Sequence, residues 1–402
     1  MKTELEFKGQ RKVITGNAAA AYAAMLCRPN VIAAYPITPS TEILEVLYRF
    51  QAEGLLQSKM TEPEGEHSVM SILISATAAG ARTFTATSSQ GLFFMYEPYV
   101  FAAAHRLPIV MVNANRETTP AAPASSGQDI MMVKDAGWVQ IHVEGCQEIL
   151  DTIIMAYRLA EDPRILLPVT VAYDGYFLSY FSEAVDIPAQ EKVDQFLPKR
   201  ERSPRLDPEI PMTMQPTISA KLFTEYRVKH MAALQRTKTK LEEIETQFQQ
   251  VFGRSYGGQL EEYRCDDADI VLVALGSCVG TAKVMVDQKR DEGLKVGLVK
   301  VRLFRPFPEE RLVTALKGKK AIGVIDRNVC FPWNRGHLLV ELRAALMNNL
   351  SEPVPLLNFI GGLNGGDITL EHMAGAIDAT RLAAQGKAYP EVTFFELAQE
   401  ES

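Results

Sequence analysis

What most constrains this chain is an alternation that occurs twice along it. Short runs of β-branched and apolar residues alternate with Ala-rich stretches of helical length, first over about 12–187 and again from 269. Parallel strands need a crossover between them and are buried on both faces, so this pattern points to doubly wound parallel sheets. In the first block Lys12–Thr15, Val31–Ala34, Thr83–Thr87, Ile109–Asn113 and Val169–Ala172 read as strands, and Asn17 reads as the cap of the Ala-rich helix that ends near Cys27. In the second, Asp269-Ile-Val-Leu-Val-Ala-Leu-Gly276 is an apolar strand ending in glycine, followed by strand-like runs at Val296–Val301, Ala321–Asp326 and Val354–Phe359. The expected class is α/β: a doubly wound parallel sheet plus a smaller α/β domain.

Between the blocks, 188–264 changes character. Lys199 and Arg200 open a charged run, prolines stand at 208, 211 and 216, and no core period is present, so this segment reads as an extended connector. Its second half, Lys221–Val251, spaces Leu222, Met231, Leu234, Leu241, Ile244 and Phe248 as one face of an amphipathic helix. The expected units are therefore 1–187, 188–264 and 265–402. With 42 Lys and Arg against 49 Asp and Glu, the net charge of −7 argues against a nucleic-acid or anionic-membrane partner. The five cysteines lie far apart with no C-x-x-C pair, which argues against a zinc or iron–sulfur site on this chain. The opening residues have no apolar leader, so a cytoplasmic location is expected.

Four segments could carry chemistry. Tyr35-Pro-Ile-Thr-Pro-Ser-Thr41 follows a strand, where open α/β sheets bind ligands; a rigid turn with a helix cap explains the same residues. Thr61-Glu-Pro-Glu-Gly-Glu-His67 places three acids at a helix start, where they complement the dipole. Glu66 lies closest to the apolar run Val69–Ala79, and desolvation there would raise its pKa toward a range suited to proton transfer. Thr83–Gly91 runs a strand into Ser88, Ser89 and a glycine, as close backbone approach to a ligand or a tight turn requires. Asn113–Glu117 sets Arg116 beyond a buried strand, ahead of the loop Thr118–Gln128; it suits a carboxylate or a local salt bridge equally. The glycines at 276–280 and 361–366 lack dinucleotide and P-loop spacing, and the six histidines form no metal motif.

Taken in order, Ala34–Thr41, Gly65–Ser68, Gly80–Gly91, Asn115-Arg116, Asp135–Gln140 and Asp326–Asn328 resemble the α subunit of the 2-oxoacid:ferredoxin oxidoreductases, the pyruvate:ferredoxin oxidoreductase superfamily. The resemblance implies that 1–187 is a thiamine-diphosphate pyrimidine-binding domain and 265–402 a transketolase C-terminal-like domain. It gives Glu66 the hydrogen bond to the aminopyrimidine, with Ile37, Ser88 and Ser89 beside the cofactor. Thr38 and Arg116 fall at the positions that bind the substrate carboxylate, and Thr118, Ser125, Ser126 and Asp129 belong to a substrate loop. The activity implied is oxidative decarboxylation of a 2-oxoacid to acyl-coenzyme A and CO2, with electrons passed to iron–sulfur clusters.

The Gly-Asp-Gly…Asn-Asn signature that binds Mg2+ and diphosphate is missing, as are cluster cysteines. A β subunit is expected to supply both, with γ and δ-type subunits and ferredoxin or another acceptor completing the path. The small residues of Thr118–Gln128 leave room for an acid larger than pyruvate, such as the aryl acid phenylglyoxylate. Gly366 stands where an arginine is expected. A non-catalytic scaffold or regulatory chain, or a coenzyme A-independent oxalate-type subunit, are the alternative readings.

Overall fold

The computed structural model describes residues 7–119, 124–200, 205–214, 216–347, 349 and 353–397. Part of the expected substrate loop, 120–123, and the charged run at 201–204 lie outside them. The strands in chain order are β1 Gln10–Thr15, β2 Val31–Ala33, β3 Lys59–Thr61, β4 Thr83–Thr87, β5 Val110–Asn115, β6 Val139–His142, β7 Val169–Asp174 and β8 Ser182–Ile187. They continue as β9 Leu260–Tyr263, β10 Ile270–Ala274, β11 Val296–Val301, β12 Leu303–Arg305, β13 Ala321–Asp326, β14 Leu356–Ile360 and β15 Val392–Phe394.

Among the described residues, one sheet has the order β12-β6-β7-β5-β4-β2-β3, parallel except for β12, and a second has the order β15-β14-β13-β10-β11-β9, parallel except for β9. The α/β class holds. Strands β5 and β7 are buried along their whole length, as a sheet covered on both faces demands. The helix Gly16–Leu26 is buried at every position, because its alanines let it pack closely against the helices Cys146–Ala160 and Thr41–Ala52.

Three local expectations are corrected. Lys12–Thr15 is a strand but does not join the main sheet: β1 pairs antiparallel with β8 as a separate ribbon, and Val13 is 72% exposed. The cap of the first helix is Thr15, whose Oγ1 accepts from Ala18 N at 3.0 Å, not Asn17. The first part of the connector is not extended throughout, since it includes the helix Gln190–Phe196, while the expected amphipathic helix is present as Ala220–Phe252. On the latter, Leu241, Ile244 and Phe248 pack inward, whereas Leu222 and Met231 are exposed.

The connector helix and second sheet are locked to the first domain by buried charges. Arg302 Nε donates to Glu148 Oε1 at 2.6 Å and Lys300 Nζ to Glu148 Oε2 at 2.7 Å, while Arg302 Nη1 reaches Glu245 at 3.2 Å. Burial pushes the Glu148 carboxyl up, but the Lys300 and Arg302 charges outweigh it and hold it below the ordinary carboxylate range. Charges buried this deeply persist only when paired, so the network fixes the domain arrangement.

Candidate active site at the carboxyl edge of the first sheet

The carboxyl ends of β2, β3, β4 and β5 lie side by side, and the segments leaving them carry the predicted residues. From β2 the chain passes through half-buried Ile37 and exposed Thr38. Asn17, fully buried in the Ala-rich helix, holds this turn: its Nδ2 donates to Pro39 O at 2.7 Å, and its Oδ1 accepts from Tyr173 Oη at 2.6 Å. Across the edge, Arg116 Nη1 donates to Thr38 O at 3.0 Å. The structure therefore brings Thr38 and Arg116 together.

Glu66 opens the helix Glu66–Ala78 and is 6% exposed. Burial raises its carboxyl above the ordinary range, against a backbone hydrogen bond that lowers it. Its seat is Gly91: a Cβ there would stand 2.3 Å from Glu66 Oε1 and 2.6 Å from Thr87 Oγ1. Thr87 Oγ1 is buried without a hydrogen-bond partner among the described residues, as is Asn113 Oδ1 on the neighbouring strand. Glu62 and Glu64 are both exposed, and a hydrogen bond from Ser68 holds the Glu64 carboxyl down.

Ser88 and Ser89 are fully buried and their hydroxyls are engaged within the chain. Ser88 Oγ donates to Thr87 O at 2.8 Å, and Ser89 Oγ to Glu117 O at 2.7 Å. Ser89 has φ +44°, a conformation that non-glycine residues adopt rarely, concentrated at functional sites. Asp129 accounts for its stability. Oδ2 accepts from Ser89 N (2.8 Å), Asn113 Nδ2 (3.0 Å) and Arg116 N (3.1 Å), and Oδ1 from Ile130 N (2.8 Å). Full burial raises the Asp129 carboxyl to about 6 even though all four bonds favour its charged form. In the loop, Thr118 O accepts from Gln90 Nε2 at 2.7 Å, while Ser125 and Ser126 turn inward: Ser126 Oγ accepts from Gln128 N at 3.1 Å.

For three of these groups the sequence points to the position but not to the contacts. Asn17 reads as a helix cap rather than as the partner of Pro39 and Tyr173, and Gly91 as the end of a strand-to-helix segment rather than as the seat of Glu66. Asp129 is found in the loop, but the three partners of its Oδ2 are 13 to 40 positions away.

The comparisons with known proteins match the same segments. Residues 22–246 match the family "Pyruvate flavodoxin/ferredoxin oxidoreductase, thiamine diP-bdg", and 268–373 match "Pyruvate:ferredoxin oxidoreductase core domain II". The chain belongs to the pyruvate:ferredoxin oxidoreductase family. It is 40% identical over 392 residues (95% of this chain, 94% of the relative) to the NADH-dependent phenylglyoxylate dehydrogenase subunit alpha of Aromatoleum evansii. To the pyruvate synthase subunit PorA of Methanothermobacter thermautotrophicus it is 43% identical over 370 residues, 92% of this chain and 95% of that one. The fold of this oxidoreductase α subunit is shared with the 2-oxoglutarate:ferredoxin oxidoreductase of Magnetococcus marinus, at TM-score 0.73 and 18% identity over 92% of this chain and 65% of that chain. A split-gene transketolase follows at TM-score 0.52 and 12% identity, over 90% of this chain and 97% of that one.

Both relatives are α subunits or their equivalents in 2-oxoacid oxidoreductases, and this chain is an enzyme subunit of that class. The groups at the carboxyl edge fit a bound aminopyrimidine. They include a buried carboxyl with raised proton affinity, a glycine that leaves its oxygen accessible, and the unpartnered Thr87 Oγ1.

Proposed function

We propose that this chain supplies the pyrimidine-binding half and the substrate-carboxylate site of a thiamine-diphosphate-dependent 2-oxoacid:acceptor oxidoreductase. The observation that carries the reading is the pairing, on one sheet edge, of the buried Glu66 carboxyl with the Arg116–Thr38 contact. Glu66 holds and moves a proton at the ring, its raised proton affinity set by burial. Arg116, with its backbone N fixed by Asp129 and its guanidinium held against Thr38 O, brings a positive charge to the substrate carboxylate. Ile37 supplies apolar contact beside the ring. Thiamine diphosphate, when bound, supplies the electron sink for loss of CO2 from the 2-oxoacid.

The domain division 1–187, 188–264 and 265–402 belongs to this reading, with the first unit holding the pyrimidine. A β-type partner carries Mg2+, the diphosphate site and an iron–sulfur cluster, with γ and δ-type subunits, ferredoxin or another acceptor, and coenzyme A as acyl acceptor. Phe94, 60% exposed beside Gly65 and His67 at the start of the Glu66 helix, supports a partner surface there. Among the described residues no helix is long and apolar enough to cross a membrane, and we place the complex in the cytoplasm. The substrate class is pyruvate or a bulkier 2-oxoacid, including aryl acids; the Aromatoleum relative, named for phenylglyoxylate, supports the latter.

The test uses the complex purified with its natural partners. Anaerobic viologen reduction is followed with pyruvate, 2-oxoglutarate, 2-oxoisovalerate, oxalate and phenylglyoxylate, with and without coenzyme A. Turnover of at least one acid, abolished by Glu66→Gln in an intact assembly, is the expected result. Near-normal turnover in that variant would overturn the role of Glu66.

A further inference from the structure

The substrate loop re-enters the fold between the two domains, and the groups that seat it come from the C-terminal one. Gln128, 3% exposed, reads the backbone of Val329 in both directions: its Nε2 donates to Val329 O at 3.0 Å, and Val329 N donates to its Oε1 at 2.8 Å. Next to it Gly127 N donates to Arg327 O at 2.9 Å, and Gly365 N donates to Ser125 O at 2.6 Å. The Arg327 side chain, 5% exposed, lies over the Phe177 ring at 5.0 Å. Its Nη1 pairs with Asp174 at 2.8 Å, at the carboxyl end of β7, and its Nη2 faces Ser125 Oγ and Gly362 O, each at 3.5 Å. Glycine at 362 permits this approach: with φ +69°, a Cβ there would stand 2.7 Å from Arg327 Nε.

One residue beyond Gln128 is Asp129, which holds the backbone N of Arg116 and of Ser89. A continuous set of short contacts thus runs from the segment Arg327–Val329 through Gln128 to the backbone of the residue assigned to the substrate carboxylate. We propose that Gln128 and Arg327 are positioning residues, through which the C-terminal domain sets the seat of the substrate loop and so the affinity for the 2-oxoacid. Neither touches substrate; Gln128 acts through Asp129 and Arg327 through Ser125. The C-terminal domain then contributes to substrate recognition rather than to stability alone. This inference rests on the substrate role proposed above for Arg116 and the loop.

The experiment places Gln128→Met, which keeps the side-chain length and removes both hydrogen bonds, in the complete complex. Hydrogen–deuterium exchange of the peptide spanning 124–131 tests the seat itself, whatever acids the complex oxidises. The expected result is faster exchange there and at 116, with the helix Gly16–Leu26 unchanged. Steady-state kinetics test the consequence: the 2-oxoacid KM rises about 10- to 100-fold with kcat within about threefold and thiamine-diphosphate affinity unchanged. Exchange and KM both like wild type overturn the proposal. A parallel loss of kcat, cofactor affinity and assembly also overturns it, by showing a merely structural role. If Gln128→Met does not assemble, Ser125→Ala, which removes only the Arg327 contact, is read by the same two measurements. A wild-type complex that oxidises no 2-oxoacid refutes the proposed function, while the exchange result still decides whether the C-terminal domain seats the loop.

Discussion

Asp129→Asn is the sharpest perturbation of the candidate site, because opposing terms at one buried atom set its effect. At neutral pH the wild-type carboxylate accepts three hydrogen bonds at Oδ2, from Ser89 N, Asn113 Nδ2 and Arg116 N. With the amide carbonyl at Oδ1 kept by Ile130 N, the amide nitrogen faces three donors and satisfies none. Losing three hydrogen bonds to a charged group costs about 1.5–3 kcal/mol each. Against this stands relief from burying a charge, the cost that raises the Asp129 carboxyl to about 6 in spite of those bonds. The net expectation is a destabilisation on the order of one to a few kcal/mol, smaller than the sum over the three bonds. The same numbers fix a pH signature. A carboxyl whose folded pKa lies above its unfolded value binds more protons when folded, so its contribution to stability falls as pH rises from about 4 to about 6. Thermal denaturation of wild-type and variant complexes between pH 4 and 8 measures both effects: the variant is less stable at pH 7, and the gap widens as pH falls from about 6 to about 4, because protonation stabilises the folded wild type while the amide does not titrate. A variant as stable as wild type at pH 7, with unchanged KM, would refute the assignment of Asp129 as the clamp of Ser89 and Arg116.

Three other outcomes follow from the same geometry. Gly91→Ala puts a methyl 2.3 Å from Glu66 Oε1, and turnover is expected to fall on the order of 10²-fold or more with assembly intact, measured by dye reduction on the purified complex. Asn17→Ala leaves Pro39 O and Tyr173 Oη without their buried partner; about 1–3 kcal/mol of stability is lost for each group, and the KM for the 2-oxoacid rises as the Thr38 turn loosens, read by calorimetry and kinetics. Arg302→Met strips Glu148 and Glu245 of a buried cation, and denaturant unfolding should show a loss of about 3–5 kcal/mol with little change in KM.

What the sequence made legible is what is local in it. The strands Thr83–Thr87 and Ala321–Asp326 are read to the residue because each is a short apolar or β-branched run bounded by breakers. Glu66, Thr38 and Arg116 are equally visible, since each stands within a few residues of a strand end. By contrast, β3 is three residues long and partly exposed, and β6 contains the polar Gln140 and His142 although both are buried, so neither shows a period-two or apolar signature. Lys12–Thr15 has strand composition, yet nothing in four residues distinguishes an edge ribbon from the first strand of a sheet. The roles of Asn17, Asp129 and Gln128 depend on partners 22, 40 and 201 positions away, and composition carries no information about such contacts.

The distribution of buried polar groups supports reading this edge as functional. Asn17, Glu66, Ser88, Ser89, Asn113 and Asp129 are all nearly or fully excluded from water and gather at the carboxyl ends of the strands, whereas the strand middles at Val110–Val112 and Val171 are apolar. A fold selected for stability alone would fill these positions with side chains that need no partners, because each buried polar group costs free energy unless it is fully hydrogen-bonded. Here most are bonded to one another and to backbone, while Thr87 Oγ1 and Asn113 Oδ1 are left without a protein partner among the described residues. Ser89 is held at positive φ by the same carboxylate that fixes Arg116. Satisfied groups that orient others, with unsatisfied ones on the neighbouring strands β4 and β5, are what pre-organisation for a ligand requires. The contacts from Arg327 and Val329 extend that pre-organised shell into the C-terminal domain.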